Sequence, residues 1–178
     1  MTDQESLLAA INEDVQLRPH DPAWTSAFQA ERDRLDALLP ATFIGIEHIG
    51  STAIPGLLAK PVVDILAGVG SMVIAAGIGP ALLSFGYTTS AEFNASLLDR
   101  QWFMRWADGH RTHHLHVVVH EGAVWNERLR FRDLLCTRPV LAAAYADLKR
   151  RLAAEHRGDR EAYTDAKASF VRAALNDV

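Results

Sequence analysis

Between Phe43 and Leu66 a β-branched run breaks at Gly50-Ser51, passes a loop punctuated by Pro55, Gly56 and Pro61, and resumes as a second apolar run. That second run carries one carboxylate, Asp64. Glycine and serine at a strand end let the backbone approach a ligand closely and offer N–H and hydroxyl donors suited to phosphate. An acid inside an apolar strand is costly to bury unless something pairs with it, and a divalent cation is the usual solution. Phosphate donors beside a metal-facing carboxylate form the working arrangement of nucleotidyl and phosphoryl transfer. On this reading Gly50, Ser51 and Thr52 hold phosphate, Asp64 faces a cation, and Lys60 neutralises charge at the strand entrance. The competing role for Asp64 is to pin the glycine-rich loop through its backbone N–H groups.

The rest of the chain places this loop in a mixed α+β frame. Residues 1–13 are weakly amphipathic, and Val15 to Leu17 suits a short strand. Asp21-Pro22 opens a helix whose stripe (Trp24, Phe28, Leu35, Leu38) runs to Leu39. Strands are expected near 42–49 and 62–69, a helix over Met72 to Phe85 despite Gly77, Gly79 and Pro80, and a strand over Gly86 to Ser90. Gln101 to Ala107 and Thr112 to His120 read as a hairpin around Asp108-Gly109. Three helices close the sequence: Val124 to Cys136, Val140 to His156, and Arg160 to Leu175 with Asp159 as its cap. The order predicts a mixed or largely antiparallel sheet with flanking helices and a helical C-terminal segment. With 178 residues and no dividing linker, residues 1–178 read as one domain.

The residues from His48 to Ile65 resemble the signature of the GrpB family of nucleotidyltransferase-like proteins, roughly H-[IV]-G-S-T-[AS]-[IV]-P-G-L-x-A-K-P-[IV]-[IV]-D-[IL]. The likeness continues in Arg111-Thr112-His113-His114-Leu115-His116-Val117, in Phe131-Arg132-Asp133, and in Tyr163 with Lys167. The resemblance implies a nucleotidyltransferase-like fold and sets Tyr163 and Lys167 beside the pocket. It does not imply a reaction, since the family's activity is largely undefined. Active members of the broad superfamily carry two acids two residues apart, and here position 66 is Leu.

Other residues add to the site. Five of the eight histidines lie between His110 and His120, and strand alternation puts His114 and His116 on one face. As an i, i+2 pair they can ligate a cation in place of the missing acid; imidazole prefers transition metals to Mg²⁺, so the expected ion is Mg²⁺ or Mn²⁺, with Zn²⁺ if the histidines ligate it. The alternative is one core histidine and one solvated. His110, His113 and His120 read as turn or rim residues. Glu47 is a candidate second carboxylate. Arg128 and Arg132 share a helix face, and Arg132 is a candidate phosphate ligand. Lys167 falls inside the stripe of Tyr163, Phe170 and Ala174, where it either snorkels out or meets an anion.

Composition bounds the partners. A net charge of −4 argues against a general nucleic-acid coat. The single cysteine, Cys136, expected to pack beside Leu134 and Leu135, fits a reducing cytoplasm. No apolar run reaches the ~18–20 residues of a membrane span. Three functions follow as expectations. The first is a metal-assisted nucleotidyl or phosphoryl transferase in which Asp64, Lys60 and Lys167 act on a nucleotide or other phosphate-bearing molecule. The second is a non-catalytic accessory module, as the family's fusion to dephospho-CoA kinase suggests. The third is a hydrolase using a metal on His114 and His116.

Overall fold

The computed structural model describes residues 15–107, 109–156 and 160–176. Helix α1 (Ala23–Leu38) starts where expected, with Asp21 Oδ1 accepting the Ala23 N–H at 2.9 Å. Strand β1 (Gly45–Ile49) leads into a single 3₁₀ turn at Ser51–Ala53, and the loop returns as β2 (Val63–Val69). Helices α2 (Met72–Gly77) and α3 (Gly79–Ser84), strand β3 (Tyr87–Thr88), helix α4 (Ala91–Ser96), and strands β4 (Arg100–Ala107) and β5 (His110–Val119) complete the sheet layer. The chain ends in α5 (Ala123–Thr137), α6 (Pro139–Glu155) and α7 (Arg160–Asn176).

The sheet order is β1-β2-β5-β4-β3. β2 and β5 pair in parallel at its centre, and the other three pairings are antiparallel. The fold is thus the expected α+β class with a mixed sheet. Alternation sorts the residues between two faces. Val63, Ile65, Ala67 and Val69 join Leu115, Val117 and Phe103 against Trp24, Phe28 and Leu35 of α1 and Ala75 and Leu82 of α2 and α3. The opposite face carries Asp64, Leu66, His114, His116 and Val118, and Trp125 of α5 packs on its apolar end. A smaller core joins Ile54 and Leu57 of the loop to Leu135 of α5 and Tyr145 and Ala146 of α6, which fastens the loop to the C-terminal helices.

Several elements differ from the sequence expectations. The helix over Met72 to Phe85 is two short helices meeting at Ile78, because glycines flank the joint and Pro80 has no N–H to continue the ladder. Val15 to Leu17 is not a strand; a lone bridge pairs Arg18 with Ala59 instead. The strand over Gly86 to Ser90 shrinks to two residues, because Ser90 leaves it to cap α4, accepting the Phe93 N–H at 3.2 Å. Helix α4 itself is unexpected. Its Asn94 bonds both backbone groups of Trp102, at 2.8 and 3.0 Å, standing in for a strand neighbour. Cys136 is exposed rather than packed. The expectations for residues 1–13 and for the Asp159 cap lie outside the described residues.

Candidate functional site

The parallel register sets Asp64 beside His114 and Leu66 beside His116. Asp64 Oδ1 lies 3.0 Å from His114 Nδ1, while the other carboxylate oxygen rests over Gly50. A Cβ built on Gly50 would collide with it, well inside contact distance. Gly50 also has φ 70° and ψ −173°, a region that only glycine adopts freely. Asp64 is therefore gripped between the histidine and the loop, and its side chain remains 29% exposed. Burial pushes its carboxyl pKa up, but the His114 hydrogen bond and the charges of His114, His116 and Lys60 outweigh this and hold it well below the usual range. Trp102 covers the neighbouring position, opposite His116 across the β4–β5 ladder, with its ring 5.7 Å from that of His114.

His116 is different. Its Nδ1 is buried with no hydrogen-bond partner. Burial, and then the charge of Arg128, keeps the ring neutral far below its ordinary pKa. Arg128 on α5 is itself pulled down by burial and by Arg100 of β4. The Arg128 guanidinium and the neutral His116 imidazole thus neighbour the Asp64 carboxylate.

For a resident metal the donor set does not fit. Among the described residues no group of three His, Cys, Asp or Glu side chains is arranged to hold an ion. Leu66, two residues beyond Asp64 on the same face, is apolar and fully buried. Glu47 does face the Asp64 side, directly opposite Leu66. Its Oε2, however, accepts from Arg132 at 2.8 Å. Arg132 also donates to the His48 carbonyl at 3.1 Å and to Asp133 at 2.8 Å, so it fastens the edge of β1 to α5.

The loop is positioned from both sides. His48 points to the α1 face, stacks on Phe28 at 4.8 Å, and pairs its Nε2 with Thr52 Oγ1 at 2.9 Å. Burial lowers the His48 pKa to about 4. Thr52, expected at the phosphate, is buried and engaged with this ring. His113 likewise lies half-buried on the α1 side rather than at a rim, in register with Val63 and Arg105. His120 packs on Trp125, which Gly68 and Gly45 admit by lacking a Cβ.

Ser51, beside Gly50, meets the residue that the sequence reading missed. Lys149 of α6 is 2% exposed. Its Nζ bonds Ser51 Oγ at 2.9 Å and also donates to the Leu58 carbonyl, so it spans the loop. The Tyr145 ring lies below it, 4.9 Å away, and the Tyr145 hydroxyl shares a hydrogen bond with Ser51. Burial, then the positive charges of Lys167 and Arg150, lowers the Lys149 pKa to about 7. Lys167 lies where its helical stripe put it, with Nζ 4.3 Å from the centre of the Tyr163 ring, which Lys60 also approaches at 4.9 Å. A Tyr-x-x-x-Lys spacing therefore occurs on both α6 and α7, at Tyr145/Lys149 and Tyr163/Lys167. That repetition was the available signal for Lys149.

Of two surface grooves, one of about 340 Å³ is lined by Arg18 to Pro22, Trp24 and Pro61, and the other, of about 370 Å³, lies between Gly79 and Phe103. No described helix is long and apolar enough to cross a membrane.

The GrpB protein family profile matches residues 14–177. The glutamate-rich protein GrpB of Alkalihalophilus pseudofirmus is 32% identical, covering 97% of this chain and all of that protein. A dephospho-CoA kinase of Mycolicibacterium paratuberculosis is 30% identical over 89% of this chain but only 44% of its own length. The crystal structure of conserved protein GrpB from Enterococcus faecalis superposes with a TM-score of 0.80 at 29% identity, covering 91% of this chain and 96% of that one.

Proposed function

Because the chain belongs to the GrpB family, we propose that the Asp64 face and its loop bind a nucleotide or another phosphate-bearing small molecule and transfer its nucleotidyl or phosphoryl group. The observation that carries this reading is the gathering of cations around one loop in a chain of net charge −4. Lys60 acts on Asp64, Lys149 holds Ser51, Lys167 acts on Lys149, and Arg100 and Arg128 flank His116. Such a cluster attracts a polyanion. The ligand would enter where Ser51 and Asp64 are still part-exposed.

Lys60 and Lys167 neutralise charge on the phosphate oxygens, and Gly50-Ser51 lets the phosphate approach the backbone. Asp64, ionised at all ordinary pH, is left as a contact for a cation that arrives with the phosphates, in the manner of Mg²⁺ sites completed by substrate. A divalent ion there would screen the ligand's charge. The second reading, a binding or accessory module without turnover, is favoured by buried Leu66 in place of a second acid and by the family's likeness to part of a dephospho-CoA kinase.

A thermal-shift panel of nucleoside mono-, di- and triphosphates and pyrophosphate, with and without Mg²⁺, Mn²⁺ or Zn²⁺, tests the proposal. A ligand at 100 times its dissociation constant adds about 2.7 kcal/mol, which for a chain of this size is a rise of about 5–10 °C. No rise with any phosphate compound under any condition contradicts it.

A further inference from the structure

We propose that Ser51 and Lys149 form a nucleophile–base dyad, in which Ser51 Oγ attacks the ligand's phosphorus and Lys149 Nζ takes its proton. The choice of phosphorus as the electrophile rests on the reading above; the dyad itself rests on its own geometry. Ser51 Oγ and Lys149 Nζ lie 2.9 Å apart, the separation a general base requires. The second Nζ bond, to the Leu58 carbonyl, orients the amine as the third member of a triad does. The Tyr145 hydroxyl is the third group at Ser51. Ser51 is half-buried and reachable, whereas Lys149 is 2% exposed and screened from water by the loop.

An ordinary lysine is protonated at neutral pH and cannot act as a base. Here burial, with Lys167 facing it from α7 and Arg150 beside it on α6, brings the pKa to about 7, so that a large fraction of the amine is neutral. The aromatic neighbours add no opposing charge: Tyr145 lies under the amine, and Tyr163 lies beyond Lys167 and Lys60. Burial holds the Tyr145 hydroxyl protonated, the charges of Tyr163 and Asp64 adding to the effect. A lysine kept merely to clasp the loop gains nothing from this setting, since a charged amine makes the stronger clasp.

The step balances without a further reactant. Neutral Lys149 accepts the Ser51 O–H proton as the Oγ lone pair forms the O–P bond. The P–O bond of a phosphoanhydride, such as that of a nucleoside triphosphate, breaks, and its electron pair leaves on the departing phosphate or pyrophosphate. The covalent product is a phosphate ester on Ser51. An acceptor hydroxyl, or water, then attacks the phosphorus and releases its own proton to solvent, while Lys149 returns the first proton to Oγ as the Oγ–P bond breaks.

The test uses an alkyl fluorophosphonate, whose P–F bond Ser51 can cleave without any nucleotide site, with intact-mass and peptide mass spectrometry on the full chain. The expected result is one adduct, on Ser51, forming at a rate that rises with pH and levels off above a midpoint near 7. Ser51→Ala abolishes the adduct. Lys149→Arg, which keeps the charge but cannot act as a base, slows labelling by roughly 10²–10⁴-fold. The proposal is overturned by no adduct on Ser51, by a rate that climbs without levelling through pH 9, or by Lys149→Arg labelling at the parent rate. The pH profile needs only the unaltered protein, so a poorly folding variant does not spare the proposal. Nucleotide-induced thermal shifts in a protein that resists the fluorophosphonate would sink the dyad and leave the phosphate-binding function standing.

Discussion

Replacing Gly50 by Ala tests how the loop and Asp64 are locked together. Alanine at φ 70°, ψ −173° carries a backbone penalty of roughly 1–3 kcal/mol. The new Cβ also enters the space of the Asp64 carboxylate, so the carboxylate must swing away and its bond to His114 at 3.0 Å is lost. A hydrogen bond to a charged group is worth about 1.5–3 kcal/mol when well buried. Because Asp64 is 29% exposed, the lower end of that range applies. The sum is about 2.5–4.5 kcal/mol. At ~2–4 °C per kcal/mol for a chain of this length, Tm falls by roughly 5–18 °C. Scanning calorimetry on Gly50→Ala, Asp64→Ala and the double variant separates the two parts. In the Asp64→Ala background, Gly50→Ala should cost only the backbone share. A Tm within 2 °C of the parent, or an equal penalty in both backgrounds, refutes the reasoning.

Lys149 links stability to pH in the alkaline direction. Between its folded pKa of about 7 and its unfolded value the unfolded chain binds the extra proton, so stability should rise from pH 7 to about 10.5. Urea midpoints should show that rise in the parent and not in Lys149→Met; a rise of equal size in both would remove the buried amine from the account. His48 acts with the same sign at lower pH. Its folded pKa of about 4 lies below the unfolded value, so stability drops as pH falls from about 6.5 to 4, and His48→Gln should flatten that limb in the same assay. Asp64 titrates lower still: its folded pKa is depressed, so its contribution is complete above the unfolded value and is lost as pH falls below about 4. Lys167→Met, which keeps the stem over Tyr163, should weaken pyrophosphate binding by roughly 10- to 150-fold, the worth of a charge-assisted bond, and unchanged calorimetric affinity would take Lys167 out of the site.

Much of the site's frame was legible in the sequence, because strand alternation carries across a sheet. Once Asp64, His114 and His116 lay on strands of period two, only the register remained, and the parallel β2–β5 pairing set Asp64 opposite His114. The place of Lys167 followed from a helical stripe in the same way. The roles of Arg132, Thr52 and Lys149 were not legible, since each depends on partners far away in sequence. Arg132 meets Glu47 across 85 residues and Lys149 meets Ser51 across 98. The place of Thr52 in the loop suggests a phosphate ligand, yet His48, four residues earlier, pairs with its hydroxyl. In the sequence an apolar stripe of Leu141, Ala144, Tyr145, Leu148 and Leu152 accounts for α6 without Lys149. Lys149, one position beyond Leu148, falls at the edge of that stripe, and the loop packs there and buries it. The break at Ile78 shows the reverse case, in which Gly77, Gly79 and Pro80 were visible and their local preference prevailed over the apolar periodicity.

The most direct measurement is a calorimetric titration of Mg²⁺ into the protein alone and in the presence of pyrophosphate. With Asp64 as the carboxylate that the described residues leave open beside the loop and Glu47 tied to Arg132, Mg²⁺ alone should give little heat. With pyrophosphate present it should bind clearly, and Asp64→Asn should lose that coupling. Tight Mg²⁺ binding without phosphate, or no binding of pyrophosphate with or without the metal, would contradict a phosphate site built on Gly50, Ser51 and Asp64.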